Sequence, residues 1–157
     1  MNDIVLARAV HVLGVVVWIG GLGMATLVLF PAIRHGAFGT RGQEVFHAIE
    51  HRFVWIARGC TVLVGLTGFH MVARLQAWDR FTSPDYWWMH AMLGTWVLFM
   101  LLLFVGEPLI LHRTLDREWR RNPARSVAVL HAVHVFMLVI SLVTIAAAVI
   151  GSHGGMF

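Results

Sequence analysis

Lysine is absent from the chain, cysteine occurs once, and only 13% of the residues carry charge. That scarcity of charge excludes an ordinary soluble domain. Hydrophobic residues make up 59% of the chain and the mean hydropathy is +0.76, values that describe a protein built for lipid. The lone cysteine, Cys60, sits inside an apolar run, so neither a disulfide nor a cysteine-based metal motif is available. No low-complexity segment, interdomain hinge or internal repeat interrupts the sequence. Because lysine is missing, all 12 basic residues are arginine, and their positions carry the topological signal.

A spanning helix needs roughly 20 predominantly apolar residues. Four segments qualify, at about 4–30, 53–75, 86–111 and 126–151. The first is longer than a signal-peptide core and lacks a small-residue cleavage site after a short apolar stretch, so it reads as retained. Only helices and closed barrels satisfy their backbone in hydrocarbon, and these runs are too long for barrel strands. The expected fold is all-α, an integral-membrane, up-and-down four-helix bundle forming a single domain over residues 1–157.

Arg34, Arg41 and Arg52 lie between the first and second spans; Arg113, Arg117, Arg120, Arg121 and Arg125 lie between the third and fourth. The other side has only Arg8, Arg74 and Arg80. This bias predicts cytoplasmic connections at the arginine-rich end and both termini on the periplasmic side of a bacterial inner membrane. A pI near 11 invites a nucleic-acid reading. Arginines flanking membrane helices are explained more simply by topology and anionic headgroups, so no nucleic-acid partner is expected and the lipid bilayer is the implied environment.

Ten histidines are present, and their depths are more telling than their number. At 1.5 Å per residue, His11, His70 and His90 fall at similar heights in the outer half of the bilayer. His47, His51, His112, His131 and His134 gather toward the inner side, while His35 and His153 sit near the interfaces. Ionisable groups in hydrocarbon are costly and mark functional sites by default. In an up-and-down bundle the first and third helices lie on a diagonal, so His11 and His90 at matched depth are candidate metal ligands in a bis-imidazole haem b site. His70 is an alternative partner for His11. A second haem would take His51 on one side and His131 or His134 on the other.

A porphyrin also needs room. His11, Gly14, Trp18, Gly21 and Ala25 share one face of the first helix, and Gly94 stands one turn from His90. Gly65 and Gly68 open the second helix in the same way, although small residues serve equally well for close helix packing. Arg58, deep in an apolar run, needs a carboxylate, which either a haem propionate or Glu107 would supply.

The stretches "AVHVLGVVVWIGGL", "FHAIEHRFVWIARGCTVLVGLTG" and "WWMHAMLGTWVLFMLLL" resemble the CopD-like and HemJ-like superfamily of small bacterial membrane proteins. The HemJ features fall on His11 and Trp18, on Phe46, Glu50 and Arg52, and on Trp88 and His90, with Met92 where that pattern has a lysine. The resemblance implies one of two activities. The HemJ branch binds haem b and oxidises protoporphyrinogen IX; the CopD branch is associated with copper uptake and resistance. For copper, His70 with Met71, and His90 with Met89 and Met92, place thioethers beside imidazoles, which suits Cu(I).

The leading expectation is a membrane haem b protein, with one haem or two, moving electrons between a quinone or redox-protein partner and an acceptor at one face. A HemJ-like oxidoreductase and a copper-transport or copper-binding protein are the alternatives. Homo-oligomerisation is compatible with all three.

Overall fold

The computed structural model describes residues 2–115 and 121–154, and gives the backbone alone for Asn2 and for residues 110–115. The side chains of His112 and Arg113, and all of Arg117 and Arg120, lie outside the described residues. The helix α1 runs from Asn2–Met24 through a π-helical turn, Ala25–Leu29, into Phe30–Arg34. Next come α2, Gly42–Arg74, then α3, Trp87–Leu101, continued as a π-helix over Leu102–Leu115, and α4, Pro123–Ser152. Each of the four is long and apolar enough to cross a membrane, and no strand occurs among the described residues.

Helix starts follow local chemistry. Proline stands in the first turn of α4, where its missing N–H costs nothing, and the Asn122 side chain accepts the Arg125 backbone N–H at 3.1 Å. Helix α2 begins about ten residues before its apolar run, with a polar first third carrying Glu44, His47 and Glu50.

Neighbouring helices run antiparallel. Asp3 at the start of α1 accepts from Arg74 at the end of α2 (2.8 Å), and Trp88 at the start of α3 packs on Gly151 at the end of α4. Helix α1 packs most extensively on α2, and α3 on α4; the α1–α4 and α2–α3 contacts close the ring, leaving α1 and α3 on a diagonal. The central core joins Trp18, Ile19 and Leu22 to Ala57, Val64, Phe99, Met137 and Leu138. Close approach depends on small residues: the Trp96 indole lies against Gly65, where any Cβ would collide with the ring, and its Nε1–H donates to the Thr61 carbonyl at 2.8 Å. Large apolar residues such as Leu27, Leu66 and Leu109, each about two-thirds exposed, form the lipid-facing surface.

Both π-helical stretches contain or precede a proline, and the two are stabilised alike. In α1 the Phe30 N–H bonds to the carbonyl of Ala25, five residues back. In that register the Thr26 carbonyl awaits the N–H of residue 31, and residue 31 is proline. His131 of α4 supplies the missing donor, its Nε2 lying 3.1 Å from that oxygen. In α3, Pro108 leaves the Leu103 carbonyl without its donor, and Arg58 of α2 bonds it through Nε (3.0 Å) and NH2 (2.8 Å). An unsatisfied carbonyl in hydrocarbon is expensive, so each proline-broken helix is completed by a neighbour.

His131→Ala is expected to destabilise the bundle by about 1–3 kcal/mol, the cost of orphaning a buried acceptor. In a Pro31→Ala background the new amide serves Thr26, and the same substitution should cost less than about 1 kcal/mol. Unfolding in detergent micelles measures both; equal costs in the two backgrounds would show that the carbonyl is not what His131 holds.

Candidate functional site

A backbone carbonyl only accepts, so each histidine bonded to one reveals which ring nitrogen carries its proton. His11, half-buried on α1, has Nδ1 at 3.0 Å from the Val64 carbonyl and 3.1 Å from Thr67 Oγ1. Its lone pair is therefore on Nε2. His90, exposed on α3, has Nε2 at 3.0 Å from the Phe81 carbonyl, leaving the lone pair on Nδ1. His134 Nδ1 meets the Leu130 carbonyl at 2.9 Å, which frees Nε2. His70 is exposed, with Nε2 3.8 Å from Asp3 Oδ2.

The expected facing of His11 and His90 across the diagonal is not what the fold provides. His11 turns onto α2 and His90 onto the connection between α2 and α3. At mid-core the space is filled by Trp18 and Phe99, whose rings meet edge to face at 4.5 Å. Gly14 and Gly21, expected to make room for a porphyrin, instead seat Val64 and Phe53 of α2, so the small-residue stripe is a helix-packing seam. Gly94 is exposed, with nothing within 4 Å of where a Cβ would stand.

The residues expected at the second site lie in different settings. His51 is exposed on α2, while His131 lies between α1 and α4 with both ring nitrogens engaged, Nε2 on Thr26 and Nδ1 at 3.3 Å from an Arg34 guanidinium nitrogen. Phe30, fully buried, is the platform for both α4 imidazoles: His131 stacks on it at 5.4 Å and His134 meets it edge-on at 4.8 Å. Sequence reasoning passed over Phe30 and Pro31. The visible signal was a proline near the end of an apolar run, which demands an outside donor for a carbonyl upstream.

Arg58 realises the protein's own alternative to a propionate. Its NH2 lies 2.6 Å from Glu107 Oε2, both side chains are only 16% exposed, and Trp55 and Phe104 rings flank the guanidinium. With Leu103 also bonded, this arginine is fully committed to holding α2 on α3. Arg58→Leu removes both bonds to the Leu103 carbonyl and the guanidinium partner of a half-buried carboxylate, and should cost about 3–5 kcal/mol. Glu107→Gln leaves the bond to Leu103 in place and should cost clearly less; thermal unfolding in micelles would report the order, and a reversed order would contradict it.

Near the end where α1 begins, soft donors accompany the imidazoles. Met89 is buried and Met92 half-buried in a cluster with Trp88, Val72 and Ala147, and Met71 lies next to His70. Among the described residues no three His, Cys, Asp or Glu side chains converge on a common point. Imidazoles whose other nitrogen is tied to a backbone carbonyl are held in the orientation and tautomer that a metal ligand requires.

No curated protein and no solved structure matches this chain. Residues 47–150 match the family described as copper resistance protein D, a span that takes in most of α2, all of α3 and nearly all of α4. Membership agrees with four membrane-spanning helices and with a multi-pass protein of the bacterial inner membrane. The match covers His51, Arg58, His70, His90, His131 and His134, and the chain belongs to the copper resistance protein D family.

Proposed function

We propose that this protein contributes to copper resistance by handling Cu(I) as a cargo ion in the membrane, engaged by imidazole and thioether groups one or two at a time. The observation that carries this reading is the family match over residues 47–150. The site chemistry supports it. His11, His70 and His90 lie toward the end where α1 begins, and His11 and His90 each have one nitrogen fixed by a carbonyl and the other bearing a lone pair. Neutral imidazole and thioether are ligands of the softness Cu(I) prefers, and Cu(I) accepts low coordination numbers. A cargo site must also release its ion, and dispersed contacts release more readily than a closed polydentate centre. The arginine distribution supports a periplasmic location for this end, since Arg34, Arg41 and Arg52 lie at the other.

Cells producing the protein should differ from control cells in copper tolerance and in cell-associated copper measured by mass spectrometry. His90→Ala and Met92→Leu should each remove most of that difference, and purified His90→Ala protein should retain Cu(I) roughly tenfold less well. His131→Ala combined with Pro31→Ala, which keeps the bundle intact, should behave as wild type. An unchanged copper phenotype in His90→Ala and Met92→Leu together would overturn the reading.

A further inference from the structure

Among the described arginines, Arg34 has His131 as a side-chain partner, Arg58 has Glu107, Arg74 has Asp3 and Arg80 lies over Tyr86. Arg41 and Arg52 are different. Both are exposed, with no side-chain hydrogen bond or ion pair among the described residues, and both line grooves on the same face of the protein. One groove, of about 510 Å³, runs between Phe38 of the α1–α2 connection and Arg41 and Val45. The other, of about 480 Å³, follows Ile49, Arg52, Phe53 and Ile56, and the two meet at Ala48.

We infer that this continuous groove binds one anionic phospholipid, its phosphate on Arg52 and its acyl chain along Phe53 and Ile56. Arg41 directly precedes α2 and Arg52 lies on it, and the grooves they line meet at Ala48, so both guanidinium groups stand along one continuous surface. Arg52 immediately precedes the apolar run of that helix, which sets its guanidinium at headgroup height and Ile56 within the hydrocarbon. Glu44 lines only the groove nearer the connection, which favours the deeper one for the phosphate and leaves Arg41 to the outer part of the headgroup. A guanidinium pairs with phosphate bidentately, and an apolar floor beside it selects a lipid over a free anion.

Native mass spectrometry of the full chain released from micelles would test this, with phosphatidylglycerol, phosphatidylcholine of the same acyl chains, and inorganic phosphate as probes. Phosphatidylglycerol should be retained several-fold over phosphatidylcholine, and excess inorganic phosphate should not displace it. Arg52→Gln should reduce retention to the phosphatidylcholine level and Ile56→Ser should weaken both lipids. Arg125→Gln, which alters an exposed arginine outside the grooves, should change nothing. Unaltered preference in Arg52→Gln, an equal loss in Arg125→Gln, or displacement by inorganic phosphate would each overturn the inference.

Discussion

A carbonyl oxygen in hydrocarbon has no water to fall back on, and a proline inside a membrane helix, beyond its first turn, takes away the donor that one such oxygen needs. Two of the four spans here accept that cost where the helix has already shifted to the wider π register. Thr26 and Leu103, each five residues before a proline, are the oxygens left over, and His131 and Arg58 reach from neighbouring helices to bond them. The donors come from α4 and α2, so the repair of one helix is at the same time a contact between two. Arg34 on His131 and Glu107 on Arg58 complete each brace. Packing of Trp18 on Phe99 and of Trp96 on Gly65 fills the space between the braces.

This division sorts the intramembrane histidines by what their nitrogens are doing. His131 is spent on structure, with both nitrogens bonded. His11 and His90 use one nitrogen to fix their own orientation and leave the other with a lone pair, and His134 does the same on the face of Phe30. The proposed ligand role concerns this second group. These imidazoles stand in a chain of the copper resistance protein D family.

The existence and order of the four helices were legible because long apolar runs can be little else. Boundaries were less so: α2 starts at Gly42 rather than near residue 53, since its first third is polar enough to hide from an apolar count. The diagonal placement of α1 and α3 followed from short connections and antiparallel neighbours. What could not be read was the rotation of each helix about its axis. Counting residues gives His11 and His90 a common height, but only packing decides that His11 faces Val64 and His90 faces Phe81. The Arg58–Glu107 pair was one of two readings the sequence left open, since a guanidinium in oil needs a carboxylate and a propionate would also have served, whereas the register shift that orphans Thr26 leaves no trace in hydropathy.

The most direct measurement of the central claim is isotope-edited infrared spectroscopy of the Leu103 carbonyl in lipid, with ¹³C=¹⁸O placed at that residue alone. A carbonyl bonded twice by a guanidinium absorbs at low frequency, and the band should move up when Arg58 is replaced by leucine. A band at the unbonded position in the native protein, or one that ignores the loss of Arg58, would contradict the account.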